Sequence, residues 1–138
     1  MSGSWKPTPT VGYAFIDLTP GVSSHLWFVC TRPDADGQVA LVSVTSVKTW
    51  TKDFTCQLTA GDHPFVQHPT VAAYQLARIL TVTTIQARVK RLDFKEREPG
   101  SPELIHRLRE GALDSTFTPN DVKGCIRRCH WQPPKVNP

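Results

Sequence analysis

The chain has 138 residues, 39% of them hydrophobic and 20% charged, which is enough for one hydrophobic core, too short for two ordinary domains, and excludes wholesale disorder. A formal net charge of +4 favours polyanionic partners. No run approaches the roughly 18 apolar residues of a membrane span, and the opening Met-Ser-Gly-Ser-Trp-Lys-Pro carries no export signal, so a cytoplasmic protein without membrane association is expected.

Residues 1–10 hold two of the twelve prolines and little apolar content, and they predict a loose arm. Short apolar runs over Val11 to Leu18 end at the turn signal Thr19-Pro20-Gly21. His25-Leu-Trp-Phe-Val-Cys30 is a continuous apolar run of strand length, which suits a strand buried on both faces. The turn Pro33-Asp-Ala-Asp-Gly37 follows, and Gln38 to Thr45 resumes a β-branched run, so the two segments predict a hairpin.

Phe54-Thr-Cys-Gln-Leu58 alternates and closes at Gly61-Asp62, predicting the next antiparallel strand. The apolar spacing over Val71 to Ile79 fits a short helix or an irregular strand, and a turn leading to a strand is the reading adopted. Thr81-Val-Thr-Thr-Ile85, β-branched throughout, is expected to complete the sheet. Composition then changes: Lys90 to Glu98 is charged except at Leu92 and Phe94, and Pro99-Gly-Ser-Pro102 ends the stretch, so about 90–101 reads as a charged linker or exposed excursion.

Ser101-Pro102-Glu103 is a helix start, with Ser as N-cap and Pro at the first position, and Leu104, Ile105, Leu108 and Ala112 form the apolar stripe. Thr118-Pro119-Asn-Asp121 repeats the signal for a second helix ending near Cys129, before an extended tail over 131–138. The expected fold is α+β: one domain over residues 11–130, built from a small, strongly curved antiparallel sheet or barrel with two C-terminal helices.

The densest chemistry lies in Gly61-Asp-His-Pro-Phe-Val-Gln-His-Pro69, where His63 and His68 are simply exposed, or serve as acid and base, or bind a metal. His25 precedes the first long strand, and Thr45 and Ser46 offer hydroxyls at the end of the second. The base of the first strand would come near the top of the second only if the loops fold back. Tyr74 and Arg78, four apart, would lie side by side on a helix, and Arg78 would stabilise developing charge on a phosphodiester. Trp27, Phe65 and Tyr74 are candidates for base stacking, and Arg88, Lys90 and Arg91 for phosphate contacts. Cys30, Cys56, Cys125 and Cys129 read as free thiols. Cys125-Ile-Arg-Arg-Cys129-His130 lacks a second ligand pair at finger spacing, so no metal and no cofactor are assigned.

The series His25-Leu-Trp-Phe-Val-Cys-Thr31, an acidic-glycine turn, Val39-Ala-Leu-Val-Ser-Val-Thr-Ser46 and Phe54-Thr-Cys-Gln-Leu58 resembles the first half of MazF/PemK-like toxins. The resemblance runs in order over roughly residues 12–128 and is one of pattern. It implies an SH3-like barrel, usually a homodimer, that cleaves single-stranded RNA without metal and is neutralised by an antitoxin protein. The family's hydroxyl after the second strand falls on Thr45 and its strand-leading His on His25. Leu26 stands where the family carries an arginine, so phosphate contact would pass to Arg32, Arg78 or the histidines of the Asp62 loop. The other class of function is a barrel that binds nucleic acid or protein without cleaving.

Overall fold

A computed structural model of the chain describes residues 9–134, so most of the expected arm and the end of the expected tail lie outside the described residues. The described residues form an α+β fold. Its seven strands are β1 (Ala14–Asp17), β2 (Leu26–Val29), β3 (Gln38–Ser46), β4 (Gln57–Leu58), β5 (Thr70–Ala72), β6 (Arg78–Thr81) and β7 (Phe94–Arg97). Three helices accompany them: α1 (Val82–Lys90), α2 (Pro102–Asp114) and α3 (Asn120–Arg128). All pairings are antiparallel, in the order β4-β5-β3-β2-β1-β7 with β6 also on β3. Among the described residues the sheet does not close into a barrel: β4 and β7 end its path.

The long strand β3 organises everything else. Along one edge it pairs with β2, Leu26 opposite Val44 and Val29 opposite Leu41. Along the other edge it changes partner midway: Gln38–Leu41 face β6 and Val44–Ser46 face β5. The hairpin turn holds because Asp34 Oδ1 accepts from the backbone N–H of Asp36 and of Gln38, both at 2.9 Å, while Gly37 takes a φ of 75° that a side chain would resist.

The apolar runs of β2 and β3 are continuous because both faces of the sheet are covered. Leu26, Phe28, Ala40, Val42 and Val44 pack with Leu104, Ile105, Leu108 and Ala112 of α2 and Val122, Cys125 and Ile126 of α3. Trp27, Val29, Val39 and Leu41 pack on the opposite side with Phe15, Phe94 and Ile85 of α1. Burying each large side chain here contributes about 1.5–3 kcal/mol.

Three expectations are corrected. Thr81-Val-Thr-Thr-Ile85 begins a helix and not a strand: Thr81 Oγ1 accepts from Thr84 N–H at 3.1 Å as the N-cap, and Val82, Ile85 and Val89 fall on one face against the core. The charged stretch 90–101 is no linker, since Phe94–Arg97 pairs with the whole of β1 and Phe94 stacks on Phe15 at 4.2 Å. Phe54–Leu58 contributes only the two residues of β4, paired with β5. The predicted start of α2 is present as read, Ser101 Oγ accepting from Leu104 N–H at 3.1 Å. α3 starts where expected too, though Pro119 occupies its cap with no side-chain bond. Trp131 packs against the core, so the beginning of the tail is anchored.

Candidate functional site

A cleft of about 220 Å³ opens where β2 begins and β3 ends. Antiparallel pairing alone creates it: Leu26 opposite Val44 places His25, one residue earlier, beside Thr45, one residue later. No folding back of loops is needed, contrary to the sequence expectation. The third wall is the loop between β4 and β5, which contributes Phe65, Val66 and His68. Leu26, Val44 and Val66 belong to the core under α2 and α3, so they form an apolar floor beneath the polar rim.

On that rim stand His25, His68, Lys48, Thr45, Ser46 and Thr70, and the lining contains no carboxylate. Ser46 Oγ lies 3.5 Å from His68 Nε2, at the outer limit of a hydrogen bond. Lys48 is exposed, and the turn that carries it is closed by Thr51 Oγ1, which accepts from Lys48 N–H at 2.8 Å. Two imidazoles, an ammonium and hydroxyls around an apolar floor can bind a phosphodiester and exchange protons with it.

His63 has a different role from its neighbour His68. It is 3% exposed, its Nδ1 accepts from Phe65 N–H at 3.0 Å, and its Nε2 therefore donates to the Glu98 carbonyl at 2.6 Å. With the ring edge-on to Phe28, both nitrogens are engaged, and His63 pins the loop that presents Phe65 and His68. Arg107 secures the same loop from α2, donating to Asp62 Oδ1 at 2.9 Å and to the Gln57 carbonyl at 2.6 Å. Burial alone would raise the Asp62 pKa, but the Thr59 N–H and Arg107 outweigh it and hold the carboxyl below its ordinary range.

The structure separates the other sequence candidates from this cleft. Arg78, opposite Leu41, lies on the α1 face with its guanidinium 5.0 Å from the Trp27 ring. Trp27 itself is 6% exposed and Tyr74 fully buried, its hydroxyl donating to the Leu108 carbonyl at 2.9 Å, so neither is available to stack on a base. Tyr74 sits in a 3-10 turn (Tyr74–Leu76) and Arg78 in β6, so the expected helical neighbours do not form. Arg88 covers Phe94 at 5.6 Å and Arg91 pairs with Asp93 at 3.1 Å. Lys90 lines an apolar hollow with Tyr13 and Pro9, away from the cleft. Arg32 is held at the end of α3, donating to the His130 carbonyl at 3.0 Å.

Of the sequence candidates, then, His25, Thr45, Ser46, Phe65 and His68 converge. Lys48 was missed because it lies just past the end of β3, in a turn to which strand alternation assigns no side. The four cysteines are free thiols, and among the described residues no group of three or more His, Cys, Asp or Glu is placed to hold a metal ion. Likewise, no helix among the described residues is long and apolar enough to cross a membrane. Searches against protein-family models, curated proteins and solved structures find no match to this chain.

Proposed function

We propose that the protein is an endoribonuclease acting on single-stranded RNA by metal-independent acid–base chemistry, in the manner of MazF/PemK-like toxins. The observation that carries this reading is the convergence of His25 and His68 with Lys48 and the Ser46 hydroxyl around one cleft free of carboxylates.

In the reaction, one imidazole takes the proton of the ribose 2′-hydroxyl, whose oxygen attacks the adjacent phosphorus. The other imidazole, entering protonated, gives its proton to the departing 5′-oxygen. The products are a 2′,3′-cyclic phosphate and a 5′-hydroxyl, with no net proton consumed. Lys48 compensates the charge that accumulates on the phosphoryl oxygens, the task assigned from sequence to Arg78. Thr45 and Ser46 orient the phosphate, and Phe65, 49% exposed on the cleft wall, offers a face to a neighbouring base. His63 serves by positioning. The resemblance to the toxin family supports the further expectation of a homodimer neutralised by an antitoxin protein, and the free thiols support a cytoplasmic setting.

The test is incubation of the purified chain with mixed-sequence single-stranded RNA, with and without EDTA, beside His25→Ala and His68→Ala variants. EDTA-resistant cleavage that leaves cyclic phosphate ends, lost in both folded variants, is the expected result. Intact RNA from a folded wild-type chain would instead assign the cleft to a module that binds without cleaving.

A further inference from the structure

Beside the cleft lies a second hollow of about 320 Å³, and the two share Thr45, Ser46 and Lys48. Its walls come from two distant parts of the chain. The loop after β3 contributes Trp50 and Lys52, the connection between α2 and α3 contributes Phe117, and Gln75 completes the lining. Trp50 is 73% exposed and Phe117 47% exposed. Large aromatic side chains flanked by lysines suit a ligand with flat faces and negative charge, the chemistry of successive bases and phosphates along a strand.

The hollow is built rather than incidental. Asp53, three residues after Trp50, accepts from Thr55 N–H and Oγ1 at 3.0 and 2.6 Å and from Ser115 Oγ at 2.7 Å. Ser115 Oγ in turn accepts from Phe117 N–H at 3.1 Å. The segment that carries Phe117 is thus tied through one carboxylate to the loop that carries Trp50. That carboxylate is 9% exposed and bonded only to neutral donors, so its one negative charge stands against Lys48 and Lys52, which leave the lining net positive.

We infer that this groove is a base-stacking subsite that receives nucleotides of single-stranded RNA flanking the phosphodiester held in the cleft, with Trp50 and Phe117 as the stacking faces and Lys48 and Lys52 as phosphate contacts. It rests on the ribonuclease reading and extends it by naming where the rest of the strand lies. A sequence-tolerant grip is implied, because every base has a stacking face.

The probe is a fluorescein-labelled 2′-O-methyl oligoribonucleotide of about eight nucleotides, within the span that such grooves cover. The methyl group blocks the attacking oxygen, so binding is read by anisotropy without turnover. Trp50→Ala and Phe117→Ala should each weaken binding by about 5- to 150-fold, the usual range for one stacked base. Lys52→Ala should lower the salt dependence by about one ion. Phe54→Ala removes an exposed aromatic from the same loop that does not line the groove, and it should bind as the wild type does. Urea midpoints confirm that each variant is folded.

Cleavage of unmodified RNA is followed in parallel. Binding that depends on Trp50 and Phe117 without any cleavage keeps the subsite and sinks the ribonuclease reading. Cleavage with octamer affinity unmoved in both aromatic variants does the reverse and overturns the subsite, assigning the groove to some other occupant such as a protein. Failure of the wild-type chain to bind the octamer overturns it as well.

Discussion

Ser115 Oγ donates to Asp53 Oδ2 at 2.7 Å across 62 residues of sequence, joining the C-cap of α2 to the loop that follows β3. Burial alone would raise the Asp53 pKa, but the donors Thr55 and Ser115 outweigh it, and the folded carboxyl lies below its ordinary value. A depressed folded pKa means that the ionised form stabilises the fold. That contribution is complete above the unfolded value of about 3.9 and disappears as pH falls through the lower folded value. Asp53→Asn should therefore lower the urea midpoint at about pH 7, with the gap to wild type narrowing as pH falls below about 4. A gap of constant size across that window would remove the charge from the explanation.

The hydroxyl that Tyr74 donates to the Leu108 carbonyl explains a glycine within α2. A Cβ at Gly111 would collide with the Tyr74 hydroxyl and press on Cys56 Cβ at 3.1 Å. Gly111→Ala should cost about 1–3 kcal/mol, the usual penalty for overpacking, despite the better helix propensity of alanine. Tyr74→Phe alone should cost about 1 kcal/mol for the lost bond. Because removing the hydroxyl opens the space, the double variant should be more stable than the sum of the two losses predicts. Strict additivity in a double-mutant cycle would disprove the steric account.

His63 and His68 each precede a proline in one loop, yet their variants should fail differently. His63→Ala leaves a cavity beside Phe28 and orphans the Glu98 carbonyl and the Phe65 N–H, at a cost of about 2–4 kcal/mol. His68→Ala touches an exposed ring and should leave the urea midpoint within about 0.5 kcal/mol of wild type. A destabilised His68 variant beside an unaffected His63 variant would reverse the two assignments.

These contrasts show what was legible in the sequence. Local chemistry was: the Asp34–Gly37 turn, the hairpin, the apolar runs of β2 and β3, and the Ser101-Pro102 helix start are all set by residues close in the chain. The misread segments are those decided by partners far away. Thr81 to Ile85 satisfies strand propensity residue by residue, and its helical spacing, Val82 with Ile85 and Val89, appears only over a longer window. Phe94–Arg97 is a strand because β1 needs an edge partner, which charge density conceals. The cleft was half legible: His25 and Thr45 were named, but their meeting follows from register, and Lys48 is placed by the turn after β3.

A buried cation holds the end of α3. Arg109, 7% exposed, donates to the Cys30 carbonyl at 2.6 Å and the Cys129 carbonyl at 2.6 Å, with Trp131 beneath its guanidinium at 5.6 Å. The last carbonyls of a helix carry partial negative charge, which suits a guanidinium that spans two of the chain's segments at once. Arg109→Met should cost about 2–4 kcal/mol, since it strips charge-assisted bonds from buried carbonyls. Arg109→Lys should recover little of this, because a single ammonium cannot reproduce the fork. Full rescue by lysine, measured by urea denaturation, would show that charge alone suffices.

Along β3, Val42 and Val44 face the core beneath α2 and α3, so alternation carries Ser46 to the same side, where it meets His68, and turns Thr45 to the opposite side, although both line the cleft and the neighbouring groove. The hydroxyl that contacts the cleft imidazole is thus the one after the residue the sequence resemblance selects. Under the ribonuclease reading, Ser46→Ala should reduce kcat/KM by about 10-fold, the equivalent of one hydrogen bond of about 1.4 kcal/mol in the transition state. Thr45→Val, isosteric and on the strand side opposite Ser46, should reduce it less. Single-turnover cleavage of one defined RNA by both variants decides the matter, and a large loss in Thr45→Val with none in Ser46→Ala would place the working hydroxyl on Thr45 after all.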